Sequence, residues 1–138
     1  MIDIENKELL TDIFKEWPSF HDAEIIRIRL EREGEDAPYL EADIHVFEMT
    51  NEVNSKGHYV SQKDTLVTIR YVDISEQYLN GFNHQNTLWD MRISETLTQS
   101  KGPTKKQVVM DSTYGCSIKL ECMKIKIMKV TPLEPREH

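Results

Sequence analysis

Two apolar periods divide the chain. Leu10, Ile13, Phe14 and Trp17 follow the i, i+3, i+4, i+7 spacing, which predicts an amphipathic helix from about Asn6 to Trp17. Asn6 or Asp3 can cap its first amides, and Glu8 in the first turn suits the helix dipole. Pro18 ends the helical spacing. From Glu24 the period becomes two. Ile26, Ile28 and Leu30 alternate with Arg27, Arg29 and Glu31, a strand with one wet face. Gly34-Glu35-Asp36-Ala37-Pro38 is turn chemistry, and Leu40, Ala42, Ile44 and Val46 then alternate with Glu41, Asp43 and His45 as the second strand of a hairpin.

Asn51 to Gln62 lacks periodicity and reads as a loop. Thr65 to Val72 is a third strand, and Ser75 to Leu79 a helical turn ending near Asn80-Gly81. Trp89, Met91 and Ile93 mark a fourth strand that can run on to Leu97; Ser100 to Pro103 is a turn, and Gln107 to Asp111 a short strand. Cys116 to Val130 reads as one long last strand. Its apolar face is even-numbered through Cys122 and odd-numbered at Ile125 and Ile127, so a bulge is expected near Met123-Lys124. Short links between alternating strands imply antiparallel pairing. The prediction is one α+β domain over residues 1–138, an N-terminal helix packed on a mostly antiparallel sheet of about six strands.

The 138 residues suffice for a core without metal or disulfide staples. No apolar run reaches membrane-spanning length and no secretory signal is visible, and two cysteines that read as unpaired thiols favour a reducing cytoplasm. The formal charge of −7 is unevenly spread. Through Val60 there are 15 Asp/Glu against 6 Lys/Arg; from Ser61 onward there are 9 against 11. So acidic a front half is a poor holder of phosphate backbones, and nucleic acid is not expected as a partner. It suits a basic protein surface, or simply keeps the chain soluble. Lys119, Lys124, Lys126 and Lys129 have no interleaved aromatics and read as a solvated, edge-protecting stripe. Cys116 and Cys122, roughly 20 Å apart along a strand, cannot pair with each other and read as small buried hydrophobes.

Chemistry is sparse. His21, His45, His58, His84 and His138 never fall three or four apart, so no metal motif is present, although His21, Asp22 and His45 could meet from separate elements. No Gly-x-Ser-x-Gly elbow, phosphate loop or cofactor motif occurs. Phe20-His21-Asp22 sits at the helix-to-strand corner, where it is either a backbone-satisfied hinge or the edge of a working site. Gly81-Phe82-Asn83-His84-Gln85-Asn86 reads as an ordered corner with Phe82 as an apolar plug, or as a partner contact. Trp17 and Trp89 read as core.

These last two stretches, in this order between helix, hairpin and strands, resemble the markers of the bacterial immunity protein 50 family: Phe20, His21 and Asp22, then Gly81, Phe82, Gln85 and Asn86. The resemblance implies a cytoplasmic antidote of a polymorphic-toxin system. Such a protein binds and blocks a cognate toxin domain, a basic nuclease being one such toxin, without catalysis, metal or cofactor. The charge count then nominates Asp22, Glu24, Glu41, Asp43, Glu48 and Glu52 as contact charges. The rival readings are a small hydrolytic or metal-dependent enzyme using His21, Asp22, His45 and His84, and an interaction or ligand-binding module with an unrelated partner.

Overall fold

A computed structural model describes residues 2–96 and 104–135. The turn expected at Ser100–Pro103, the extension to Leu97 and His138 lie outside those residues. One short helix, α1 (Glu8–Phe14), is followed by eight strands: β1 (Glu24–Glu31), β2 (Tyr39–Val53), β3 (Tyr59–Val72), β4 (Glu76–Asn80), β5 (Thr87–Glu95), β6 (Lys106–Tyr114), β7 (Ser117–Cys122) and β8 (Lys124–Pro132). They form a single antiparallel sheet in the order β4-β7-β6-β5-β1-β2-β3-β8. The architecture follows the α+β expectation, with eight strands in place of about six.

The two additional strands have separate causes. Ser75 to Leu79 is not helical; β4 pairs along β7 from Glu76↔Glu121 to Asn80↔Ser117, and that ladder overrides the helix propensity of Glu-Gln-Tyr-Leu. The expected last strand is two strands. Met123 breaks it, and the face change between Cys122 and Ile125 marks a move from β6 and β4 on one side to β3 on the other. Cys116, Ile118, Leu120, Cys122, Ile125 and Ile127 are all buried, so the alternation was real and a crossing, not a bulge, causes its phase shift. The predicted loop after Asn51 is mostly hairpin. Register shifts between Val46 and Glu48 and between Met49 and Val53 erase the two-residue period, while Val53 still faces Tyr59.

β1 meets β5 at the single pair Glu24↔Thr87, so the sheet is two four-stranded halves joined at a narrow seam. Both halves turn apolar faces to one core. Leu40, Ala42, Ile44, Val46, Val67 and Ile69 come from one half, and Leu88, Val108, Met110, Ile118 and Leu120 from the other. A bulge at Ile26 puts Ile25 into this core, and Leu30 is 54% exposed rather than inward. Leu10 and Phe14 of α1 complete it against β8 and β3. The helix is shorter than its spacing predicts because Lys15 takes a left-handed conformation (φ 71°) and its N–H caps back to the Thr11 carbonyl. Asn6 does not cap it. Its side chain donates to the Ile127 carbonyl, and Glu5 bridges Lys126, so the N-terminal segment covers the edge of β8.

The outer face of β1-β2-β3-β8 carries a ladder of alternating charge. Arg29 and Arg70 hold Glu41; Arg70 and Lys126 hold Asp36; Lys126 reaches Glu5; and Arg27 and Thr68 hold Asp43. The Lys126 ammonium, seconded by Arg70, draws the Asp36 carboxyl below its ordinary range against the opposing effect of burial, and Asp36 raises Lys126 in return. Arg70 is held charged by Glu41 and Asp36 although burial opposes it. Next along β2, His45 Nε2 lies 2.7 Å from Asp64, whose two oxygens also accept from the Ser61 hydroxyl.

Candidate functional site

The two marker stretches meet at the seam. Phe20 is buried and anchors the corner after Pro18, and Asp22 turns it in the left-handed conformation (φ 67°), which Asp tolerates. Asp22 N–H donates to the Leu88 carbonyl at 2.9 Å, Leu88 N–H to Ala23 at 2.8 Å and Ile25 N–H to Asn86 at 2.9 Å. These bonds stitch β1 to β5 beyond their one ladder pair.

Asn86 is the centre of the joint. Its Oδ1 accepts from Asn83 N–H (2.9 Å) and Cys116 N–H (3.2 Å), and its Nδ2 donates to the carbonyls of Asn83 (2.7 Å) and Ile25 (3.3 Å). One buried amide therefore ties the corner before β5, the strand β1 and the turn before β7. Gly115 in that turn has φ +80°, and a Cβ there would run into Gln85 O and lie 2.5 Å from Asn86 Oδ1. Gly81 is equally confined: its φ is +84°, and a Cβ would lie 2.8 Å from the Gly115 carbonyl. The loop is thus the ordered corner its Asn and Gln content suggests. Phe82, however, is 47% exposed and plugs nothing, while Gln85 and His84 point to solvent.

His21 lies on the outside of this joint. Its Nδ1 is 2.9 Å from the Trp89 carbonyl, which can only accept, so the proton sits on Nδ1. The imidazole meets the Trp89 ring edge-on at 4.8 Å between centroids. Trp89 is 57% exposed, contrary to its expected place in the core. The register shift between Leu88 and Asp90 sends it outward. Trp17 does pack against the core and touches Phe20 at 5.7 Å.

Beside His21 opens a cleft of about 410 Å³ between the α1–β1 corner and β2. Phe14, Pro18 and Phe47 form its apolar lining together with Met49, and Glu16, Asp22 and Glu48 supply three carboxylates. Glu48 is shared with Gln62 at 3.0 Å and Lys63 at 3.4 Å; Asp22 is half exposed, 3.7 Å from His21 Nε2. The nominated contact charges divide accordingly. Asp22 and Glu48 line the cleft and Glu52 is exposed further along β2. Glu24 is half-buried in the seam. Glu41 and Asp43 are buried beneath arginines in the outer ladder. A two-residue period shows which face a side chain takes; it does not show that long Arg stems close over that face. Glu16, placed by the helix end, was missed because it belongs to no strand pattern.

The four residues of the enzyme reading do not share this cleft. His21 and Asp22 line it, His45 is buried against Asp64, and His84 is exposed on the loop before β5. Among the described residues no group of three His, Cys, Asp or Glu side chains is placed to hold a metal ion.

The sequence model of Immunity protein 50 matches residues 6–133, nearly the whole chain. The chain belongs to the immunity protein 50 family. No curated protein and no solved structure matches it. Family membership makes it an immunity protein of a toxin system, which implies a cognate toxin as its partner. Phe20, Asp22, Gly81 and Asn86 build the seam that holds the halves of the sheet together. In this family member no helix among the described residues is long and apolar enough to cross a membrane.

Proposed function

We propose that the chain neutralises a cognate toxin domain by covering it, in the cytoplasm and without turnover, and that the acidic cleft beside Trp89 is the contact surface. The observation that carries this reading is the cleft itself: three carboxylates around an apolar lining, next to an exposed Trp held in place by His21. Rigid aromatic groups supply much of the energy of protein interfaces, and surrounding charge steers encounter and register. The complement is a basic segment with an apolar side chain. A toxin that grips phosphate carries Lys and Arg where it works, so a basic nuclease domain fits, and a covering antidote would compete with its substrate for the same cations. The charge ladder on the outer sheet face leaves few unneutralised carboxylates there, which favours the cleft over the hairpin face.

Titration of purified toxin with purified chain tests the absence of turnover. Residual toxin activity should fall linearly to zero near one chain per toxin and return when the complex is dissociated. Inactivation of many toxin molecules per chain would establish an enzymatic mechanism and overturn the proposal.

A further inference from the structure

The two edges of the sheet are treated differently. β8 is covered by the N-terminal segment through Glu5, carries Lys124, Lys126 and Lys129, and ends at Pro132. These are the devices by which proteins keep edge strands from pairing with other chains. β4, at the other end of the strand order, carries no Lys or Pro, and no segment among the described residues pairs along its outer edge. Glu76-Gln77-Tyr78-Leu79-Asn80 contains no Pro, no Lys and no residue of positive φ, and Glu76, Gln77, Tyr78 and Asn80 are exposed. An unguarded edge of ordinary strand length is a template for one more strand.

We propose that this edge pairs with β4 of a second copy of the chain, antiparallel about a two-fold axis at Tyr78. The sequence of the strand fits itself in that register. Tyr78 faces Tyr78 of the second copy, Glu76 faces Asn80, and Gln77 faces Leu79, so no like charges meet. Tyr78 stands in the outer row with Lys119 and Val109, where an aromatic pair across the axis covers the groove of about 480 Å³ beside it. Leu79, already packed against the core, gains the stem of a glutamine at its open side. The pairing joins two eight-stranded sheets into one of sixteen. No residue of β4 or β7 lines the acidic cleft, so both clefts of the dimer stay open.

Sedimentation equilibrium of the intact chain across a dilution series from about 1 mM to 1 μM should show a species of twice the 16.2 kDa chain mass that dissociates on dilution. Tyr78→Lys and Tyr78→Glu should each abolish it, and a one-to-one mixture of the two should restore it, because opposite charges then meet on the axis. Tyr78→Cys, which needs no repulsion, should give a disulfide-linked dimer under mild oxidation, since Cys116 and Cys122 are buried and do not compete. The equally exposed Tyr114→Cys should not. A wild type that stays monomeric throughout, a dimer unaltered by Tyr78→Lys, or a Tyr114→Cys protein that links as readily as Tyr78→Cys overturns the proposal.

Discussion

Replacing Asn86 by Ala removes one side chain from the seam and leaves four backbone groups to find new partners. Two of them, Asn83 N–H and its carbonyl, belong to an exposed loop that water reaches. The other two, Cys116 N–H and the Ile25 carbonyl, belong to fully buried residues. An abandoned buried backbone group costs about 1–3 kcal/mol, and the exposed pair adds little, so Asn86→Ala should destabilise by roughly 2–6 kcal/mol. That is a large share of the 5–15 kcal/mol typical of a domain, and it should lower the melting temperature by about 10 °C. Asn83→Ala is the control. It loses exposed bonds to Gly81 and Gln85 and should cost under about 1 kcal/mol. Urea unfolding followed by tryptophan fluorescence suits the measurement, because Trp89 sits on the seam and Trp17 on the core side. A cost for Asn86→Ala below about 0.5 kcal/mol, or one equal to that of Asn83→Ala, would refute the claim that this amide holds the halves together.

Other outcomes follow from the same geometry. Gly115→Ala should cost at least about 2 kcal/mol in urea unfolding, because backbone and the Asn86 amide block the new methyl, whereas Gly57→Ala, at similar φ but in open space, should cost only about 1 kcal/mol. Asp36→Asn should cost about 1–2 kcal/mol at neutral pH; its depressed carboxyl stabilises the fold above its ordinary 3.8 and loses that effect as pH falls through the folded value, so wild type and variant should converge in acid. At high pH the sign reverses. Burial pushes the Cys122 thiol from 9.0 up to about 11, so its contribution is complete below pH 9 and drains away as pH rises toward 11; burial, with Cys122 nearby, also raises Tyr71. Stability should therefore drop by about 2 kcal/mol between pH 8.5 and 10.5, and Cys122→Ala should flatten that slope. A slope unchanged in the variant would remove Cys122 from the explanation.

What is legible in the amino-acid sequence is local. The β2 alternation gave its core face residue by residue, and the shifted phase after Cys122 located a real discontinuity. The reason for that shift was long-range, because a bulge and a crossing between half-sheets leave the same one-residue signature. Ser75 to Leu79 was misread for the same reason, as strand identity there comes from pairing with β7. The joint of Phe20-His21-Asp22 with Gly81 to Asn86 spans some sixty residues of chain, and only resemblance hinted that the two stretches belong together. Glu41 and Asp43 were legible as outward-facing but not as covered, since Arg70, which closes over Glu41, lies a strand away. The alternation of Trp89, Met91 and Ile93 points Trp89 to the core, but a register shift just before Asp90 puts it outside.

The central claim is that the cleft between the α1–β1 corner and β2 grips the toxin through its carboxylates. Its most direct test is the affinity of a cognate toxin domain for the wild type and for a Glu16→Lys, Asp22→Lys, Glu48→Lys variant, each at several salt concentrations. The account predicts a loss of about a hundredfold or more in the variant and a binding constant whose salt dependence largely disappears. An affinity and a salt dependence equal to those of the wild type, in a variant that folds, would contradict it.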